Sequence, residues 1–396
     1  MTGSDSIETS DVSKRVFVFL CTAASFAILS TTMAKNPALP LLAADIGASD
    51  SQIGFISAMS PIPGILISAL AGAYSDRVGR TRLLNYSLVV FSTAPLLYLL
   101  VSEPWQLAAV RFYHGFATAI FMPVAMAAVA DMYGPKQRGR NLALYSSATM
   151  VGRSAAPFLG GTILYFTTFG DVYLACEVTG VLAMVIALTI PWRGRAADSA
   201  NLREKDVLGS LASLAKDKIV MTTSMMEGAQ YYAMGAFEAF VPLYGVHIGL
   251  NALEIGIVMG AQIVSMLVSK PFLGSLSDAR GRRPGIIAGL IVGGLAMIGL
   301  PASSDFLTLT IVSVIFGVSV AMVTASTSAL VSERAGPSRH GSSLGLLSSI
   351  MDVGHSAGPL ATGFVIGAFS FGYGFDVAGL ILLAGAVAFV IVVRGD

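Results

Sequence analysis

Long apolar runs, bounded by charge or by clusters of Gly, Pro and Asn, recur from residue 16 to residue 393. That recurrence limits the possible folds more than any other feature, because each run is near the ~20 residues an α-helix needs to cross ~30 Å of hydrocarbon. Reading them off predicts twelve spans, at 16–43, 52–74, 83–102, 105–131, 141–166, 172–192, 218–246, 253–275, 285–302, 306–332, 342–368 and 373–393. Runs this long exclude a membrane β-barrel, whose strands alternate over ~10 residues. Charged residues make up 12% of the chain, about half of what a soluble domain carries. The predicted class is an all-α membrane protein.

With so few charges, their positions carry the information. All of the 24 Lys and Arg residues except Lys35, Arg111, Arg153 and Lys270 fall in the tails or in the loops after even-numbered spans. The positive-inside rule makes that side the cytoplasm and places both termini there. The opposite loops carry Asp45, Asp50, Glu103, Asp171 and Asp305 and no Lys or Arg. Localisation is expected in the cell (inner) membrane as a multi-pass protein. Cys21 and Cys176 fall inside apolar runs and receive no disulfide or functional role.

The longest connection divides the chain into six spans and six. The expected organisation is a disordered cytosolic tail at 1–13, an N-terminal six-helix bundle at 14–192, a cytosolic linker at 193–217 and a C-terminal six-helix bundle at 218–396. Val207, Leu208, Leu211 and Leu214 recur at helical spacing in the linker. They suit either a helix lying in the headgroup region or a solvated tether.

The two halves repeat at a constant offset of 202 residues. "GAYSDRVGRTR" from Gly72 matches "GSLSDARGRRP" from Gly274, and "PLLAADIGASDSQIG" from Pro40 matches "PLYGVHIGLNALEIG" from Pro242. Gly115 maps onto Gly317, Asp131 onto Glu333, and the segment from Gly134 onto that from Gly336. Chance likeness between Leu- and Ala-rich segments falls on apolar positions, whereas these matches fall on Gly, Pro, Asp and Arg. Because the offset spans an even number of helices, both halves have one topology. They are predicted to pack as pseudo-symmetric bundles about an axis along the membrane normal, with a site between them near the midplane.

Three motifs give the chain a family resemblance. "GAYSDRVGRTR" and "GSLSDARGRRP" are similar to the paired loop motifs of the major facilitator superfamily. "LAAVRFYHGFATA", with Arg111 and Gly115, resembles its fourth-helix pattern. "GRSAAPFLGG" resembles the fifth-helix motif of the drug-proton antiporter branch, departing from it at Ala156. The resemblance covers nearly the whole chain and implies transport by alternating access. It implies a cytosolic latch in which Asp76 lies near Ser342 and Ser343 at the start of the eleventh helix and Arg80 pairs with Asp131. The second half repeats that set as Asp278, Arg282 and Glu333.

Gly152, Ala156 and Gly160 recur every four residues on the fifth span, and Gly354, Gly358 and Thr362 on the eleventh, with Pro157 and Pro359 among them. Such small-residue stripes permit close helix approach, here expected against the opposite half.

Charges inside a bilayer are costly and are default functional candidates. A carboxyl group desolvated in a cavity holds its proton near neutral pH and gives it up when a cation approaches. Asp352 is the first proton-coupling candidate, followed by Glu227, Glu238 and His355. Arg111, Tyr113, His114, Arg153 and Tyr231 are candidates for lining the substrate cavity. A static ion pair with Arg111 or Arg153 is the competing reading for each carboxylate. Glu177 and Lys270 lie near span ends and are read as snorkelling side chains.

The leading functional expectation is proton-coupled efflux of hydrophobic or cationic small molecules. The alternatives are proton-linked uptake of a sugar, organic anion or other metabolite, and a non-transporting membrane sensor or partner protein. No phosphate loop, metal-ligand cluster or HExxH motif occurs, so no enzyme, metal, cofactor or nucleic-acid partner is expected. The expected partners are a small-molecule substrate, protons and the lipid bilayer, with the chain acting as a monomer.

Overall fold

The computed structural model describes residues 3–67, 75, 78–190, 209, 212–336 and 339–393. They are helical throughout, with short connections. The first span runs Gly3–Lys35 and, after an interruption at Asn36 and Pro37, continues as Ala38–Asp45. Proline has no N–H to give and its ring crowds the preceding turn, which accounts for the break. The helix starts at Gly3, so the segment expected to be a disordered tail is helical.

The second span begins with Asp50–Ala58, is interrupted at 59–61 and resumes over 62–67, around Pro61 and Pro63. The third to sixth spans are Arg80–Tyr98, Pro104–Met132, Pro135–Phe166 and Phe169–Leu188. The seventh to twelfth are Lys218–His247, Ala252–Arg280, Arg282–Gly299, Phe306–Ala335, His340–Ala368 and Phe371–Val393.

The packing repeats with the sequence. The first span packs on the fifth and sixth as the seventh does on the eleventh and twelfth, and the third on the fourth and sixth as the ninth on the tenth and twelfth. Between halves, the second span packs on the eleventh and the fifth on the eighth, each contact being the image of the other. The turns before the third and ninth spans are images as well. Gly79 and Gly281 hold φ of 97° and 90° there, a backbone conformation that glycine alone adopts without strain.

Among the described residues, seven helices are long and apolar enough to cross a membrane on composition alone, and the fifth, seventh and eleventh spans are not among them. Those three carry the small and charged residues singled out from sequence.

Most of the linker expectation, including Val207, Leu208 and Leu211, lies outside the described residues. Its described end, 212–216, is helical, and Leu214 is buried against Val220, Val331, Ala335 and Leu347 of the C-terminal half. Arg334 pairs with Asp217 at 3.2 Å and fixes this end. The headgroup placement therefore does not hold for Leu214, which finds a protein surface to cover instead.

Candidate functional site

The closest approaches between halves are made by glycines. A Cβ on Gly54 would strike the carbonyl oxygen of Pro359, and one on Gly256 would meet that of Pro157 at 2.6 Å. These are images at the 202-residue offset, as are the neighbours Gly363 and Gly161 that complete the two contacts. Gly260 against Phe158 and Gly367 against Ser51 extend them. All six glycines lie toward the ends of their spans that carry Asp45, Asp50 and the other acidic loops, so the molecule is sealed at the end opposite its basic face.

The small-residue stripes act elsewhere than expected. Gly152 abuts Ser25 and Gly160 abuts Met33, both on the first span, while Gly354 abuts Gly228 and Gly358 abuts Tyr232 on the seventh. Ala156 is fully buried on the same stripe. These stripes hold each half together. The seal between halves is left to the carbonyls of Pro157 and Pro359 and the glycines four residues beyond them, on a different face of the same helices.

Just inside the seal, three side chains from three spans meet across the halves. Lys35 of the first span forms an ion pair with Glu238 of the seventh. His355 of the eleventh places Nε2 at 2.9 Å from Glu238 Oε2 and 3.1 Å from Lys35 Nζ. Lysine only donates and an ionised carboxylate only accepts, so this nitrogen serves one of the two at a time, as donor to Glu238 or acceptor from Lys35. Asn36, Ser57, Gly235 and Pro359 close the space around them. Asn36 is 1% exposed, and neither amide atom has a hydrogen-bond partner among the described residues. The cavity there measures about 10 Å³, the room of a single water.

Glu238 and His355 were expected to act in coupling. Lys35, which joins them, is the interior charge that the sequence marks less clearly, because it stands at the end of an apolar run before Asn36 and Pro37.

Deeper toward the basic face, Glu227 is buried and accepts a hydrogen bond from Thr327 of the tenth span. Lys270 is exposed, as a snorkelling side chain would be, with Glu227 and Arg153 in electrostatic reach. Asp352 is half-buried, with Lys35 in electrostatic reach and no bonded partner among the described residues. Arg153 is half-buried and likewise lacks an ion-pair partner there, although Lys35, Tyr231, Lys270 and His355 all feel its charge. Tyr231 lies among Glu227, Arg153, Glu238 and Asp352, its ring edge-on to His355 at 5.9 Å. None of the three carboxylates is paired with Arg111 or Arg153.

Three cavity candidates prove to belong to the N-terminal half's interior. Arg111 is 1% exposed, and its Nη1 donates to the Tyr98 hydroxyl at 3.3 Å. That hydroxyl is 3.3 Å from His114 Nδ1, and the Tyr98 ring stacks on Tyr173 at 4.4 Å. His114 is therefore a core residue, packed also against Phe91. Tyr113 bonds Thr93 of the third span at 2.8 Å and braces two helices of one bundle. Successive helical residues are 100° apart, so Tyr113 faces away from Arg111, whereas His114, three residues on, shares the Tyr98 hydroxyl with it.

At the basic face the duplicated motif forms duplicated ion pairs. Arg80 pairs with Asp131 and donates to Ser75 at 3.0 Å. Arg282 pairs with Asp278 and with Glu333, at 2.7 Å to the latter, and reaches Ser277 at 3.5 Å. Asp76 lies outside the described residues.

Comparison with known proteins bears on this arrangement. A family model described as Major Facilitator Superfamily matches residues 18–261 and 223–396. Multidrug resistance protein 2 of Bacillus subtilis is 24% identical over 380 residues, covering 94% of each chain. The quinolone resistance protein NorA of Staphylococcus aureus is 21% identical over 329 residues, covering 83% of this chain and 84% of its own. Among solved structures, a bacterial homolog of the human lysosomal transporter Spinster superposes with TM-score 0.76 at 17% identity, covering 97% of this chain and 96% of its own. The nucleoside transporter NupG does so with TM-score 0.77 at 14% identity, covering 96% and 98%.

Proposed function

This chain belongs to the Major Facilitator Superfamily, and we propose that within it the protein is a proton-coupled exporter of hydrophobic or cationic small molecules. The observation that carries the reading is the junction of Lys35, Glu238 and His355 directly beneath the glycine seal. A carboxylate that ties one half to the other is also a group whose protonation unties them, which is what coupling a proton to alternating access requires. Asp352, unbonded and partly open in the same interior, is the group placed to take the proton first. Resistance proteins among the relatives favour efflux over uptake. The crowding of Lys and Arg on one face favours both termini in the cytoplasm, and the protein then works as a monomer in the cell membrane.

In this scheme the pairs of Arg80 with Asp131 and Arg282 with Glu333 brace each half at the cytosolic face, where Asp76 and Asp278 meet the opposite bundle in one access state. Arg153 and Tyr231 line the substrate path.

The test is Asp352→Asn in proteoliposomes. Gradient-driven movement of a fluorescent lipophilic cation is expected to fall to the level of empty vesicles, while the variant inserts and melts as the parent does. Full gradient-driven activity in the variant removes Asp352 from the mechanism. Retention of the dye by cells only when the protein is absent separates export from metabolite uptake.

A further inference from the structure

The end of the molecule opposite its basic face holds a second space between the halves, beyond the glycine seal and separate from the junction beneath it. It measures about 610 Å³, the size of a pocket for a drug-sized molecule. Its lining obeys the 202-residue offset, pairing Leu41 with its image Leu243, Ile53 with Ile255 and Phe169 with Phe371. The cavity therefore lies on the pseudo-axis. Ile53 and Ile255 each precede a sealing glycine, and Ala252 supplies the carbonyl that a Cβ on Gly161 would meet at 2.6 Å. The seal is thus the floor of this cavity.

The symmetry breaks at the polar side chains. Asp45, at the end of the first span, answers to His247 at the end of the seventh, and Asp50 answers to Ala252. Both carboxylates belong to the N-terminal wall, and neither has an ion-pair partner among the described residues. The loops of this face contain no Lys or Arg to neutralise them. The C-terminal wall is aromatic instead. The His247 ring packs on Phe371 at 5.6 Å and on Tyr244 at 6.1 Å, and Tyr244 is anchored by its hydroxyl, 2.8 Å from the carbonyl oxygen of Ser303.

We infer that this cavity binds a bulky organic onium cation, ammonium or phosphonium, which enters from the face opposite the basic one and holds the seal closed. A small inorganic cation satisfies the carboxylates but leaves the apolar walls in water. A neutral apolar molecule covers those walls but desolvates two carboxylates without compensation. An anion meets like charge. An onium ion carrying apolar groups gives Asp45 and Asp50 a counter-charge and presents diffuse positive charge to the rings of the other wall. Because such a ligand touches image residues of both halves, it loses one wall when the halves part at the floor. By linkage, its binding favours the sealed state. It acts as a blocker and not as cargo, since cargo must pass the seal that this ligand keeps shut. The inference needs only that the seal opens during the working cycle, whatever the cargo, its direction or its coupling ion.

The experiment uses tetraphenylphosphonium and tetraphenylborate, which share one shape and differ in the sign of their charge. The reporter is Val246→Cys, at an exposed position in the cavity lining, in purified full-length protein in nanodiscs. Its rate of alkylation by a water-soluble maleimide is measured, with the parent protein giving the background from Cys21 and Cys176. At about ten times its half-protecting concentration the phosphonium is expected to slow alkylation roughly tenfold by mass action, while the borate at that concentration leaves the rate within about twofold. Asp45→Asn combined with Asp50→Asn is expected to raise the half-protecting concentration about tenfold, two partly exposed ion pairs being lost. Phe371→Ala is expected to raise it about threefold. A second reporter beneath the seal, Asn36→Cys, is expected to react more slowly as the phosphonium fills the cavity above it.

Equal protection by the two ions overturns the inference, because shape and apolar area then suffice without charge. Protection that survives Asp45→Asn with Asp50→Asn overturns it as well, the cation then acting from another place. Protection of Val246→Cys with no slowing at Asn36→Cys overturns the closure of the seal. If the double aspartate variant does not fold, the comparison of the two ions on Val246→Cys alone still decides.

Discussion

The N-terminal and C-terminal halves share their framework and differ in what they bury. At the offset of 202, Gly54 and Gly256, Pro157 and Pro359, Gly79 and Gly281, and Arg80 and Arg282 keep the same contacts in both halves. Most interior charges have no such counterparts, Arg153 and His355 being the basic pair that do. Glu238 answers to Asn36, Lys35 to Phe237, Asp352 to Met150, Glu227 to Ser25 and Arg111 to Ser313. Positions that let helices approach or turn are constrained equally in both copies, since the backbone geometry is the same. Apart from Arg153 and His355, positions that carry an interior charge in one copy are uncharged in the other, so the two halves offer different chemistry on one framework.

The largest test of that contrast is Glu238→Gln beside Asn36→Ala, at equivalent positions. Removing one member of a buried ion pair costs ~3–5 kcal/mol because the other charge stays behind. Lys35 retains 21% side-chain exposure, which moves the expected loss to the lower end of that range. Glu238→Gln is expected to lower the melting temperature in detergent by several degrees, with Asn36→Ala losing under half as much. Lys35→Met in the Glu238→Leu background is expected to recover most of the stability and none of the transport. Equal losses at positions 238 and 36 contradict a functional asymmetry between halves.

A smaller effect, equal in both halves, is expected for Gly54→Ala and Gly256→Ala. Each added Cβ meets a proline carbonyl of the other half, which must move aside, and forced overpacking of this kind costs ~1–3 kcal/mol. Both variants are expected to weaken the seal and to raise alkylation of a cysteine introduced at Asn36, by about the same factor. Tolerance of one substitution with failure of the other breaks the equivalence that the repeat implies.

The repeat and the span count are legible in the sequence because glycine, proline and a periodic charge pattern report local backbone demands. Partners are not. A stripe such as Gly152, Ala156 and Gly160 requires a close neighbour without saying which, and the neighbour is the first span of the same half. Arg111 reads as a buried charge, yet its partner Tyr98 is one aromatic in an apolar run and carries no periodic signature. Tyr113 stands beside Arg111 in sequence and turns away from it on the helix, while His114 shares its Tyr98 partner inside the bundle. Lys35 is masked by the Asn-Pro step that follows it. The distribution of Lys and Arg did point to the basic face, on which the paired arginines sit.

The smallest expected difference concerns two helix starts that are also images. Asp305 caps the tenth span, its Oδ1 accepting from the backbone N–H groups of Leu307 at 2.9 Å and Thr308 at 3.0 Å. At the corresponding start of the fourth span, the side chain of Gln106 reaches back to the N–H of Glu103 at 3.2 Å. The Thr308 and Leu307 donors hold the Asp305 carboxyl below the usual aspartate range, since hydrogen bonds to the charged form favour it. A depressed folded value stabilises the protein above the unfolded aspartate value, and that contribution is lost as pH falls through the folded one. Asp305→Asn is therefore expected to melt slightly below the parent protein at pH 7 and to converge with it at a pH below the Asp305 titration. Gln106→Ala is expected to lower the melting temperature by an amount that does not change with pH, because the group it removes does not titrate. Melting curves of both variants between pH 3 and 7 distinguish the two caps, and a pH-independent deficit in Asp305→Asn contradicts a charged cap.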